Sequence, residues 1–140
     1  MPQFGSRSLR ELKNAHPTLI RVLNLAIASC DFMVLQSSRT EAEQEADFKK
    51  GTTRAHWLQS PHDFEPSFAV DCAPLPLDWN NKHSFEVMAA TIKDAAKQLN
   101  VAITWGGDFH SIKDMPHFEL TDWRERVKQL PQQGRLPLVS

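Results

Sequence analysis

Two histidines and two aspartates carry the chemistry this sequence can do: His62 and Asp71 within Ser60–Pro74, and Asp114 and His117 in Asp114-Met-Pro-His117. Two imidazoles and a carboxylate, with a further carboxylate beside them, meet the needs of a catalytic zinc site. Such a site takes three protein ligands, keeps a fourth position for water, and uses a base for that water's proton. The residues propose a hydrolase.

A single histidine is plainly read as a surface or hydrogen-bonded residue, and six histidines make chance pairs easy. The neighbours here argue for more. Asp71 lies in the apolar run Phe68-Ala-Val-Asp-Cys-Ala-Pro74, which reads as a short buried strand. A carboxylate there is costly unless paired or bound to a cation. His117 lies in a similar run, Pro116-His-Phe-Glu-Leu120. The two could satisfy each other across neighbouring strands, but that reading leaves Asp114 and the unusual loop around His62 unexplained.

The order Ser60-x-His62, Ala69-Val-Asp71-x-x-Pro74, Trp105-Gly-Gly and Asp114-x-x-His117-Phe-Glu-Leu resembles the zinc peptidases of bacterial cell-wall peptides. These are the VanX and VanY D-alanyl peptidases and, nearest in layout, the phage L-alanyl-D-glutamate endolysins. The resemblance covers roughly residues 4–120. It implies His62, Asp71 and His117 as ligands of Zn2+, Asp114 as the catalytic base, and Arg39 as the cation that stabilises the polarised carbonyl. Ser60, at the family's serine position, is expected to bind substrate, as are Trp105 and His110. The family's usual spacing from first histidine to aspartate is two residues shorter than the nine found here, with Pro66-Ser67 near a family glycine. A longer surface connection accounts for the difference.

The elements that must position these groups are legible in outline. Ser8-x-x-Glu11 reads as a capping box opening a short helix. Pro17 opens a second helix with Leu19, Ile20, Leu23 and Ile27 on one face. A strand is expected over Asp31–Gln36, then a helix capped by Thr40-x-x-Glu43 that stops near Gly51, so that Arg39 sits at a rigid corner. A loop over Thr52–Ser67 carries His56, Trp57, Ser60 and His62. An amphipathic helix over Ser84–Leu99 turns Phe85, Met88, Ile92, Ala95, Ala96 and Leu99 inward. Val101–Trp105 reads as a strand ending in Gly106-Gly107, where the backbone could approach a ligand. The whole predicts an α+β fold, a small antiparallel sheet flanked by helices, and the resemblance implies that it is of the hedgehog and D-Ala-D-Ala peptidase kind. Residues 1–122 are expected to form one catalytic domain. Residues 123–140 are a C-terminal extension with one short helix at Trp123-Arg-Glu-Arg and a poorly ordered tail.

Composition agrees with a small enzyme. The 140 residues, 41% of them hydrophobic, can bury one core, and a net charge of -1 gives no footprint for nucleic acid. No apolar run approaches the ~20 residues of a membrane span, so no stable insertion is expected, and the first residues lack the pattern of a signal peptide. Cys30 and Cys72 read as small buried hydrophobes of a cytoplasmically folded monomer, with Cys72 on the sheet face opposite Asp71. The resemblance then implies an endolysin, made in the host cytoplasm, that reaches the wall at lysis and cuts the peptidoglycan stem peptide. Either His110 or His56 is a candidate support for the metal site, and Trp57, Trp79 and Trp105 are candidates for the groove or the core. Two other readings stay open. One is a D-alanyl-D-alanine carboxypeptidase or dipeptidase, which needs an anchor for a terminal carboxylate, where Arg54 alone presents itself. The other is an inactive zinc-containing protein that binds wall peptides.

Overall fold

The computed structural model describes residues 2–110 and 113–130. In chain order its elements are α1 (Ser6–Leu12), α2 (Pro17–Ala26), β1 (Phe32–Gln36), α3 (Glu41–Lys50), β2 (Ala69–Pro74), α4 (Lys82–Gln98), β3 (Ile103–Trp105), β4 (His117–Leu120) and α5 (Trp123–Lys128), with a single 3-10 turn at Gly106–Asp108. The four strands form one antiparallel sheet in the order β1-β2-β4-β3. This is the α+β layout that the sequence predicts.

Alternation along the strands divides the sheet into two faces with different work. Val70 and Cys72 of β2, Phe118 and Leu120 of β4, and Phe32 and Val34 of β1 are buried in one core with Leu19, Leu23, Phe85, Met88 and Ile92 of α2 and α4. Asp71, His117 and Glu119 face the other way. Asp71 stands directly opposite His117 in the β2–β4 register. Cys72, fully buried, is therefore on the face opposite Asp71 as expected. On β1 the register slips between Val34 and Gln36, which brings Gln36 opposite Asp71. A bulge of this kind re-aims a side chain, here Gln36 toward the Asp71 face.

The first two helices are fixed in different ways. At α2, Pro17 occupies the first turn and His16 Nδ1 accepts from the Thr18 N–H at 3.1 Å. The capping box expected at Ser8 and Glu11 does not form, because α1 begins earlier, at Ser6. Ser8 Oγ instead accepts from the Val34 N–H of β1 at 3.0 Å, and Glu11 Oε1 accepts from the Ser37 N–H at 3.3 Å. Both groups pin α1 to the strand rather than closing their own helix.

α3 has almost no apolar face; Gln44 is its one buried residue. Its ends hold it instead. Thr40 and Glu43 complete a reciprocal capping box, acidic residues sit in the first turn and lysines in the last, and Gly51 closes it at φ 78°, in the left-handed region that glycine adopts freely. α4 begins at an Asn81 cap and ends in a paired turn: Asn100, at φ 58°, donates to Lys97 O and Val101 donates to Ala96 O. The helix stops at Gln98, so Leu99 leaves the apolar stripe and is 39% exposed rather than inward.

The connection 52–67 contains no helix or strand, yet much of it is inside. Residues Ser60, His62, Asp63, Phe64 and Ser67 are buried. The expected surface excursion near Pro66-Ser67 packs against the α1–α2 turn: Ser67 N–H donates to Asn14 O and His16 N–H to Ser67 O, both at 2.9 Å. No helix of the described residues is long and apolar enough to cross a membrane.

Candidate metal centre and cleft

The sheet face opposite the core carries a cleft of about 480 Å³ lined by His62, Asp71, Asp114 and His117, together with Arg39, Ser60, Phe109, Glu119, Trp123 and Arg124. At its floor, His62 Nε2, His117 Nδ1 and Asp71 Oδ1 are each 3.3 Å from the other two. Four ligands placed tetrahedrally about 2.0–2.1 Å from a zinc ion lie about 3.3–3.4 Å apart, so this triangle has the edge length of one tetrahedral face.

The outer hydrogen bonds decide which nitrogen of each ring faces inward. His62 Nδ1 donates to Ser37 O at 2.6 Å, leaving Nε2 as the acceptor. His117 Nε2 donates to Glu119 Oε1 at 2.6 Å, leaving Nδ1. Partners of this kind fix the tautomer and raise the basicity of a ligating imidazole. Three lone-pair-bearing atoms thus converge, and Asp71 Oδ1 is buried without a hydrogen-bond partner among the described residues. Such a convergence takes up positive charge, as a proton or as a metal ion. Without metal, burial disfavours charge on His117, but the Asp71 carboxylate 3.3 Å away and the bond to Glu119 prevail and push it up to about 9. For Asp71, burial opposes ionisation, yet the His62 and His117 imidazoles hold it well below the usual carboxylate range.

The supports of the floor come from far along the chain. Ser37, fully buried, donates its hydroxyl to Glu11 O, so α1 fixes the carbonyl that orients His62. Arg39 N–H donates to His62 O at 2.8 Å, and Ser60 Oγ accepts from His62 N–H at 3.2 Å. Ser60 therefore shapes the His62 turn while lining the cleft. The Arg39 guanidinium is clamped: Nε and Nη2 donate to Gln36 Oε1 at 3.2 and 2.9 Å, and Nη1 to Gln44 Oε1 at 2.7 Å. Gln44 in turn donates to Ala55 O at 2.7 Å. The one buried residue of α3 and the residue re-aimed by the β1 bulge are the two that hold this cation.

Asp114 stands at the rim. Its N–H donates to Gly106 O at 2.9 Å, and its carbonyl accepts from His117 N–H at 3.1 Å. Loss of water on the side packed against protein, and then the Asp71 carboxylate, push its carboxyl up, while His117, His62 and Arg39 pull it back. Gly106 is there for this approach: a Cβ at that position would collide with the Asp114 carbonyl oxygen. Gly107 similarly makes room for the Trp105 ring. The glycine pair admits the chain's own groups rather than a ligand. Gly106→Ala is expected to displace Asp114 and to lower turnover by about 100-fold, the scale of a 1 Å misplacement at a reacting centre. Turnover within a factor of two of the parent would contradict this.

Two expected substrate-binding residues are placed elsewhere. Trp105 pairs with Phe118 in the β3–β4 register and so shares the core face, where its ring stacks on Phe118 and its indole N–H donates to Met115 O at 2.7 Å. It braces the loop that bears Asp114 and does not line the cleft. His110 is exposed and outside the lining, where its neighbour Phe109 stands instead. His56 stacks on Phe48 and pairs with Glu45 at 3.0 Å on α3, so it supports nothing at the floor. Trp79 is 57% exposed against Phe85, and Trp57 is absent from the lining. The tryptophan that does reach the cleft is Trp123. It is buried, and its indole N–H donates to Glu119 Oε2 at 3.0 Å. Glu119 was identifiable as lying two residues beyond His117 on the same strand face. Nothing in the sequence singled out Trp123.

The family described as phage L-alanyl-D-glutamate peptidase matches residues 1–122, which include every member of the floor and rim. The chain belongs to that family. It is a peptidase of the peptidoglycan-hydrolysing kind. It is 27% identical over 119 residues to the L-alanyl-D-glutamate peptidase of Escherichia phage T5, covering 80% of this chain and 85% of that protein. The crystal structure of the Serratia marcescens L-Ala D-Glu endopeptidase ChiX superposes with a TM-score of 0.77 at 29% identity, over 89% of this chain and 93% of ChiX. The matched segment ends one residue before Trp123, so α5, whose Trp123 and Arg124 line the cleft, lies outside it. The tail expected to be poorly ordered lies, beyond Leu130, outside the described residues.

Proposed function

We propose that this peptidase is zinc-dependent and cuts the amide between L-alanine and D-glutamate in the peptidoglycan stem peptide, as an endolysin acting on the host wall. The observation that carries the metal reading is the equilateral 3.3 Å triangle of His62 Nε2, His117 Nδ1 and Asp71 Oδ1, each ring turned inward by a partner on its far side. Two imidazoles and one carboxylate are a common donor set for catalytic zinc. When bound there, zinc supplies Lewis acidity that makes water nucleophilic near neutral pH and polarises a carbonyl.

The protein's own groups divide the remaining work. Asp114 takes the proton of the attacking water and returns it to the leaving nitrogen. The clamped Arg39 meets the charge that develops on the carbonyl oxygen without having to reorganise. Ser60 holds the turn that presents His62. The names of the relatives support the choice of bond, and the cleft is compatible with an internal bond, since Arg39 is committed to the scissile carbonyl.

Digestion of purified peptidoglycan, followed by mass spectrometry and end-group labelling, tests the bond. New L-alanine carboxyl ends and D-glutamate amino ends are expected, with little free D-alanine. Free D-alanine without detachment of stems from the glycan would move the chain to the D-alanyl carboxypeptidase reading and leave the metal site intact.

A further inference from the structure

We propose that Arg124, on the helix just beyond the family-matched segment, is a specificity residue that binds the free α-carboxylate of the D-glutamate next to the cut bond. This rests on the bond assignment above. In the stem peptide D-glutamate is joined onward through its side-chain carboxyl, so its α-carboxylate remains as an anion one residue from the scissile amide. A cleft that cuts this bond must place that charge somewhere.

The cleft offers two arginines among its described lining residues, Arg39 and Arg124, against the carboxylates of Asp47, Asp71, Asp114 and Glu119. Arg39 is spent. It is buried, clamped by Gln36 and Gln44, and its Nε lies 3.6 Å from Asp47. Arg124 is exposed and has no carboxylate partner among the described residues, and its Cζ is held 4.5 Å from the centroid of the Trp123 ring. Trp123 is itself buried and anchored through Glu119 to His117. The guanidinium is thus set over the ring of a side chain tied to the floor of the cleft. With no carboxylate paired to it among the described residues, its N–H groups can meet a substrate carboxylate, the bidentate recognition to which arginine is suited. Arg54, the other candidate anchor, faces an adjoining hollow with Thr52, Phe109 and Asp114 and is not part of this lining.

The test uses two soluble stem peptides that differ only in D-glutamate bearing an α-carboxylate or an α-carboxamide. The zinc-loaded full chain is expected to favour the carboxylate peptide by about 10-fold in kcat/KM, mainly through KM, the scale of one charge-assisted contact. Arg124→Gln should abolish the preference by weakening the carboxylate peptide alone, Arg124→Lys should keep part of it, and Arg54→Gln should keep all of it. Equal losses on both peptides in Arg124→Gln, no preference in the parent, or loss of the preference in Arg54→Gln would overturn the assignment. Failure of the parent to cut either peptide sinks the bond assignment instead. Calorimetric binding of the two peptides to the parent and to Arg124→Gln then decides on Arg124, with equal affinities counting against it.

Discussion

His117→Ala is expected to lose metal and activity together. The imidazole contributes one corner of the 3.3 Å triangle and also joins the floor to its supports, through Glu119 on one side and Asp71 on the other. Its removal leaves two ligands for zinc, and it leaves Glu119 without the N–H that satisfied Oε1. Loss of an outer partner alone costs about 10–100-fold in metal affinity, and loss of a ligand should exceed that. Peptidoglycan hydrolysis should fall to background. His62→Ala should behave alike, because it removes the Nε2 corner of the triangle and the ring that Ser37 O orients. Zinc content by atomic emission after gel filtration, with far-ultraviolet circular dichroism as the check on fold, gives the measurement. Full zinc stoichiometry in both variants would sink the metal assignment. Restoration of the parent chain by Zn2+ after a chelator is the matching expectation.

How this site could be read from sequence, and where reading failed, has a common physical cause. Features governed by neighbours along the chain were legible: the Thr40–Glu43 box with Gly51, the Pro17 start, the alternation that sets Cys72 opposite Asp71. The clustering of His62, Asp71 and His117 was legible because polar residues in apolar strands are costly without partners, and because their motifs resemble a known family. What failed depended on pairing between distant segments. Ser8 and Glu11 have the spacing of a cap, but the better-placed donors for them belong to Val34 and Ser37, 26 residues on. Trp105 and His117 lie on adjacent strands, yet the β3–β4 register puts Trp105 beside Phe118 and so into the core. Spacing along one strand cannot show the offset with its neighbour.

The same logic applies to the C-terminal helix α5, which forms at Trp123–Lys128 where one short helix is expected. Residues 123–140 read as a C-terminal extension with one short helix at Trp123-Arg-Glu-Arg, and the sequence does not show what Trp123 packs against. Trp123 nevertheless finds a place beside Phe64, with ring centroids 6.5 Å apart, and a partner for its indole N–H in Glu119. Phe64 sits in the longer His62–Asp71 connection. The longer connection and the C-terminal helix therefore meet, and the connection backs Trp123, which lines the cleft. Two features that each looked peripheral become structural through their contact.

Asp114→Asn is expected to keep the metal and the fold and to lose about 100-fold or more in kcat, the usual cost of removing a general base. The contacts that fix Asp114 in place are made by its backbone, to Gly106 O and from His117 N–H, and an asparagine retains both. Among the described cleft-lining residues its side chain is the one carboxylate without a hydrogen bond or ion pair: Asp47 faces Arg39, Asp71 belongs to the triangle, and Glu119 serves His117 and Trp123. A base must be free to take a proton, and only Asp114 is. The direction of its pKa gives a second readout. Without metal, partial burial and Asp71 raise it, and the ionised form that catalysis needs is lost as pH falls. The parent enzyme's kcat should therefore fall on the acid side along a limb that Asp114→Asn lacks. Near-parental turnover in a zinc-replete Asp114→Asn would give the proton transfer to another group. His110, exposed beside Phe109, would have to reach the floor from outside the lining to take that role. Asp71→Ala separates the two kinds of carboxylate, since it should lose zinc where Asp114→Asn does not.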